Sequence, residues 1–265
     1  MDATAACAEL ALDYHPPYEW AAFLRFVKHR AIPGLERVDD YSYHRGGVTV
    51  RKHPAGDRLL AINATAPLAS QIRFFFDLDT DPGPIAACLS KSRWLKRIVG
   101  SHPGLRVPRC WDPFELAVRA MLGQQVTVKG ASTLAGRLVE RFGPPDAAIL
   151  AAADLAVIGL PKARAESIRG LARAVCDRRI RFDGAVSSQE TIGRMCELPG
   201  IGAWTANYIA MRALGDPDAF PASDLGLLKA AKVSSARKLA ELAEGWRPWR
   251  SYAAMYLWES LHANP

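Results

Sequence analysis

The sequence predicts an α+β protein, with an N-terminal antiparallel sheet and flanking helices followed by an all-helical region. Two β-like runs lie early in the chain: Val48–Lys52 alternates, and Arg58–Asn63 reads as a strand. His53-Pro54-Ala55-Gly56-Asp57 between them supplies the turn residues of a hairpin. From Trp111 onward no strand pattern occurs. Ser101–Cys110, punctuated by Pro103, Gly104 and Pro108, reads as a crossing between domains. The expected division is 1–108, the N-terminal α+β domain, and 109–265, the all-α domain.

The helices follow from spacing and punctuation. Tyr18–Arg30 carries Trp20, Phe23, Leu24 and Val27 at helical intervals after a Pro-Pro start. Leu68–Leu78 is helical and contains Phe74, Phe75 and Phe76. Pro113–Leu122 comes next, then Val126–Phe142, stopped by Gly143-Pro144-Pro145. Ala147–Val157 and Ala163–Arg178 follow. Ser187-Ser188-Gln189-Glu190 has capping-box spacing and opens a short helix to Met195. Further helices are expected up to Leu214, over Ser234–Glu244 and over Pro248–Leu261.

The 265 residues, 49% of them hydrophobic, suffice for two cored domains. No run approaches the ~20 apolar residues of a membrane span. The start, Met1 to Cys7, lacks the basic and apolar stretches of a secretion signal. Cys7, Cys88, Cys110, Cys176 and Cys196 are scattered without a Cys-x-x-Cys, which argues against zinc ribbons and iron–sulfur clusters. Reduced thiols in a cytosol are expected. The net charge of +7 suits a polyanionic partner, although many basic proteins bind no nucleic acid.

Leu198-Pro199-Gly200-Ile201-Gly202-Ala203-Trp204-Thr205-Ala206 is the most informative stretch. Two glycines permit a tight turn and close approach, and the free N–H groups of the helix that follows suit phosphate. Such a turn between helices grips a nucleic-acid backbone without reading sequence; the alternative is an ordinary helix–helix turn. Asp224 follows on a separate loop, Phe220-Pro221-Ala222-Ser223-Asp224, placed to face the sugar. An Asp before a helix is also a common N-cap, and Asp216 and Asp218 are nearby rivals. Lys162 and Arg164, beside a second turn, read either as another phosphate grip or as solvated surface charges.

The hairpin with Asn207-Tyr208 and Asp224 resembles the helix-hairpin-helix superfamily of DNA glycosylases. Three further motifs resemble its bacterial DNA-3-methyladenine glycosylase II type: His15-Pro16-Pro17-Tyr18-Glu19-Trp20, Val118 to Val126, and Trp246-Arg247-Pro248-Trp249-Arg250-Ser251-Tyr252-Ala253. The resemblance spans about residues 14–260 and implies a cleft between an α+β domain and a helical region. It places the catalytic aspartate at Asp224, the aromatic base pocket at Trp258, Trp204, Tyr208 and Phe26, and the gap-filling residue at Gln125. Gln125 is polar where some relatives carry Leu, and Leu225 stands where some carry an aromatic residue. The DNA-gripping hairpin positions are Gly200, Gly202, Ala203 and Thr205. The resemblance also implies no required cofactor, with a structural Na+ or K+ on the backbone oxygens of Cys196, Leu198 and Ile201.

The implied activity is monofunctional release of alkylated purines, such as 3-methyladenine, from double-stranded DNA in base excision repair. An alkylated purine is already a good leaving group, so a fixed carboxylate opposite the cationic sugar is the main requirement. Aromatic rings bind the flipped, electron-poor base, although any single Trp is also a core candidate. Trp204 stands where strand-cutting relatives carry a nucleophilic lysine, and neither Lys229 nor Lys162 is placed to replace it. A monomer in the bacterial cytoplasm, nucleoid-associated on DNA and without membrane contact, is expected. The competing readings are a non-catalytic hairpin DNA-binding protein and a glycosylase/lyase for oxidised bases.

Overall fold

The structure is a computed structural model that describes residues 9–262; Cys7 and the opening heptapeptide lie outside the described residues. The sheet has five antiparallel strands: β1 (Glu9–Asp13), β2 (Glu36–Val38), β3 (Ser42–Arg45), β4 (Val48–Lys52) and β5 (Arg58–Ile62), in the order β1-β5-β4-β3-β2. The expected hairpin is β4–β5, with Lys52 opposite Leu59. The sequence pattern missed β1, β2 and β3, which are short and mixed in polarity.

Helices α1 (Trp20–Lys28) and α2 (Ala69–Phe76) pack on the sheet through Phe23, Leu24, Val27, Ile72, Phe75 and Phe76. Val50, Leu59 and Ala61 answer from the sheet, and burying such side chains contributes about 1.5–3 kcal/mol each for the larger ones. α3 (Pro82–Leu89) and α4 (Lys96–Ser101) lead into the segment expected to be a crossing.

That segment is not an exposed linker. Residues 104–110 are all buried. Arg106 donates to the carbonyls of His15 and Pro17, and Arg109 to Asp77. A side chain at Gly104 is excluded, because a Cβ would sit 2.1 Å from the Pro17 carbonyl oxygen. Both arginines are buried; backbone carbonyls and a carboxylate accept part of their hydrogen bonds, while Nε and Nη1 of Arg106 have no partner among the described residues.

The helical region contains α5 (Pro113–Leu122), α6 (Val128–Phe142), α7 (Ala147–Ala152), α8 (Lys162–Cys176), α9 (Ser188–Cys196), α10 (Ala203–Ile209), α11 (Leu225–Ala230), α12 (Ala236–Ala243) and α13 (Arg250–Ser260). α5 has the predicted bounds, opened by Asp112, whose side chain accepts from the Glu115 N–H at 2.7 Å. The predicted Ser187 cap of α9 is also present, accepting from the Glu190 N–H at 3.2 Å. α10 continues into a π-helical turn to Leu214. One core joins α5 through α10, and a second joins α3, α4, the 104–107 segment, α11, α12 and α13. The site lies where these cores meet α1.

Candidate active site and nucleic-acid interface

The hairpin joins α9 to α10. Gly200 has φ 84°, and a Cβ there would sit 2.2 Å from the Ser167 hydroxyl oxygen, so this turn can seat against α8 only with glycine. Gly202 is the N-cap of α10, is exposed, and has open space around it. No acidic side chain lies in the first turn of α10 to satisfy its N–H groups or offset its positive pole. Three of the four hairpin positions, Gly200, Gly202 and Ala203, are exposed to solvent along this turn. Thr205 is not: it is buried, and its hydroxyl accepts from Gln124 at 2.9 Å.

Asp224 arrives on a loop that other motif residues hold in place. Ser251 donates to the carbonyls of Asp216 and Ala219, both at 2.7 Å. Arg250 grips the Asp218 carboxylate with two hydrogen bonds of 2.8 and 2.9 Å. Asn207 accepts from the Phe220 N–H, and Phe220 packs edge-on against the buried Trp246. Asp216 accepts from the Asp218 N–H, so both rival aspartates are occupied in shaping the loop.

Asp224 is both an N-cap and a pocket carboxylate. Its Oδ1 accepts from the Leu227 N–H at 2.9 Å, opening α11, and from the Trp258 indole at 3.0 Å. Its Oδ2 accepts from the Trp204 indole at 3.0 Å. The two tryptophans thus orient the carboxylate as well as walling the pocket. Trp204 and Tyr208, one turn apart on α10, stack at 5.4 Å and 9°. Trp258, from α13, meets Tyr208 edge-on at 6.3 Å.

These four residues line a cavity of about 260 Å³ together with Arg30, Arg119, Val126 and Val128. Phe26 sits behind this cavity. It lies 6.2 Å from Trp258 and is covered at 3.7 Å by the Arg30 guanidinium, and it lines a second, smaller cavity between α1 and α13. A groove of about 900 Å³ runs past the mouth, lined by Gln124 and Gln125, by Cys196 to Gly202, and by Ser223 to Gly226. Gln125 is exposed at its rim. Lys162 and Lys229 line neither the groove nor the cavity. Arg164 donates from Nη2 to the Gln124 carbonyl at 2.7 Å, which ties it to the neighbouring loop.

The arginines are the feature the sequence reading missed. Arg212 donates to the Tyr208 hydroxyl at 2.7 Å and to the carbonyls of Pro108 and Arg109. Burial alone would raise the Tyr208 pKa, but Arg212, Arg30 and Arg119 outweigh it and bring the phenol down to about 8. Burial lowers Arg119 to about 10, and its nearest carboxylate, on Glu36, is 3.9 Å away. The available signal was a lone arginine within the apolar run of α5.

Cys196, Leu198 and Ile201 all line the groove, and the Leu198 carbonyl accepts the Ile201 N–H while keeping a second lone pair. The three expected donors are neutral carbonyls, which suit a monovalent cation, and Glu197 lines the same groove.

Comparison with known proteins agrees with this geometry. A family described as the AlkA N-terminal domain matches residues 9–112, and the HhH-GPD superfamily of base excision DNA repair proteins matches residues 118–246. A probable bifunctional transcriptional activator/DNA repair enzyme AlkA of Mycobacterium tuberculosis is 39% identical over 98% of this chain. The chain spans 58% of the length of that relative. DNA-3-methyladenine glycosylase 2 of Escherichia coli is 32% identical over 93% of this chain and 95% of its own. A 3-methyladenine DNA-glycosylase structure from Archaeoglobus fulgidus superposes with a TM-score of 0.77 at 21% identity, covering 95% of this chain and 97% of that one. The chain belongs to the DNA-3-methyladenine glycosylase 2 family, within the HhH-GPD superfamily of base excision DNA repair proteins.

Proposed function

We propose that this protein is a monofunctional DNA glycosylase that hydrolyses the N-glycosidic bond of alkylated purines, such as 3-methyladenine, in double-stranded DNA and so opens base excision repair. The observation that carries the reading is the Asp224 carboxylate, clamped by the indoles of Trp204 and Trp258 between an aromatic cavity and the hairpin groove.

In this reading the hairpin holds the DNA backbone, Gln125 fills the gap in the stack, and the flipped base enters the cavity against Trp258 and Tyr208. The C1′–N bond breaks and its electron pair leaves with the base. Asp224 stabilises the cationic sugar, and water adds to C1′ with loss of a proton. Trp204 offers no amine, so no Schiff base forms and the strand stays intact. A Na+ or K+ on the carbonyls of Cys196, Leu198 and Ile201 stiffens the hairpin, and no other cofactor is needed. The protein acts as a monomer in the cytoplasm, consistent with the unpaired Cys88, Cys110, Cys176 and Cys196 and with no described helix being long and apolar enough to cross a membrane.

The test is incubation with methylated DNA and analysis of the released bases, with borohydride present in a parallel reaction. Free methylpurines and an uncut abasic strand are expected. Binding without base release supports the non-catalytic reading instead. A near-stoichiometric trapped protein–DNA band overturns the monofunctional assignment.

A further inference from the structure

The loop between α5 and α6 is held at points the sequence gives no reason to connect. Gln125, at its apex, is exposed and has φ 57°, a left-handed backbone conformation that persists only where the surroundings enforce it. Its neighbour Gln124 turns inward. The Gln124 amide donates to the Gly200 carbonyl and to the Thr205 hydroxyl, both at 2.9 Å. The Gln124 carbonyl accepts from Arg164, on the first turn of α8, at 2.7 Å. On the other side of Gln125, Thr127 caps α6 by accepting from the Gly130 N–H at 3.1 Å. Gln125 therefore stands between two fixed points, and one of them is bonded directly to the hairpin.

We propose that Gln124 and Arg164 are positioning residues that join the gap-filling loop to the hairpin, so that the grip on the backbone and the insertion of Gln125 act as one rigid movement. The proposal rests on the glycosylase reading above. Opening a base pair pushes back on the inserted side chain. A probe on a free loop yields to that force; a probe bonded to the anchored hairpin does not. Neither residue lines the base cavity, and because Gln124 lines the hairpin groove the rates are compared at saturating enzyme, where weaker DNA binding does not register.

The experiment measures single-turnover release of one 7-methylguanine from two DNA substrates. In one the lesion is paired with cytosine; in the other it sits unpaired in a bulge. Full-length wild type is compared with Gln124→Ala, Arg164→Ala and Arg164→Lys, with the melting temperature of each. The alanine variants are expected to lose about 10–100-fold on the paired lesion, the scale of effect for a small misplacement. On the bulged lesion the loss stays within about threefold, because an unpaired base is the least costly to extrude. Arg164→Lys, which keeps a cationic donor, restores most of the paired rate. Equal losses on both substrates, or no loss on either, overturn the proposal while leaving the glycosylase reading intact. No release by the wild type from either substrate overturns the glycosylase reading and this proposal together.

Discussion

Two buried arginine clusters lie close together in this fold, and they are built in opposite ways. At the joint between the halves of the chain, Asp77 accepts from Arg109 at 3.0 Å, from the Tyr252 hydroxyl at 2.8 Å and from Thr80 at 2.6 Å. Burial alone would lower the Arg109 pKa, but Asp77 and Tyr252 together outweigh it and the guanidinium ends up above its ordinary value. At the base cavity the balance reverses. Burial lowers both Arg30 and Arg119, and the charges around them do not make it up. At the joint the buried Arg109 guanidinium is paired with a carboxylate, as scaffolding requires. The cavity keeps positive charge that burial disfavours and a perturbed phenol, the pattern expected of the proposed active site.

The sharpest way to break this contrast is Asp77→Ala. It leaves Arg109 buried without its carboxylate, and a loss of about 3–5 kcal/mol in unfolding free energy is expected from urea denaturation. A variant as stable as the wild type refutes the scaffold assignment. Asp224→Asn should do the reverse. Single-turnover base release falls by about 10²–10³-fold, the range for losing one preorganised electrostatic group. Asn still caps α11, but its amide NH2 cannot accept from the second indole, so stability falls by about 1–3 kcal/mol, less than for Asp77→Ala. DNA affinity persists because it rests on the backbone. Retention of most of the activity would remove Asp224 from the mechanism.

Two substitutions probe the charge of the cavity with opposite signs. Trp258→Ala removes an aromatic face, so excision of cationic methylpurines should fall more than excision of neutral lesions, by a factor of about 2–30. Arg119→Met removes a repelling charge and should raise the same ratio by about 3–10-fold. Lesion ratios that move together in the two variants contradict the contrast. The smallest effect is a pH dependence. The Tyr208 phenol ionises at about 8 in the fold and near 10 when unfolded. Its contribution to stability is complete above pH 10 and is lost as pH falls through about 8. Wild type should therefore gain on the order of 1 kcal/mol relative to Tyr208→Phe between those pH values. Parallel denaturation profiles for the two proteins would place the phenol at its ordinary value.

The helices were legible in sequence because their signals are local. Asp112 before Pro113, Ser187 before Glu190 and the Gly143-Pro144 stop each act within a turn. Two of the missed strands carry too few residues for a period of two to show, β2 being Glu36-Arg37-Val38 and β3 four residues long. β1 is as long as β4, but its partner β5 lies far along the chain and no turn sequence joins the two. The hairpin and Asp224 were legible as a motif, but the indole hydrogen bonds to Asp224 were not, because they join residues 20 and 34 positions apart. Apart from the apolar run around Arg119, nothing local in the sequence singles out Arg106, Arg109, Arg119 and Arg212 from the other basic residues. Only their neighbours in space show that the first two brace the chain and the last two set the charge of the cavity.

Asp224 starts a helix with the same carboxylate that faces the cavity, and this restricts how the protein can drift. Most replacements there remove a helix start along with the carboxylate proposed to act on the sugar. A lineage that gave up base release but kept the fold is therefore expected to carry Asn, Ser or Thr at this position, residues that still cap. In descendants of this chain, that short list separates enzymes from DNA-binding proteins that have outlived their chemistry.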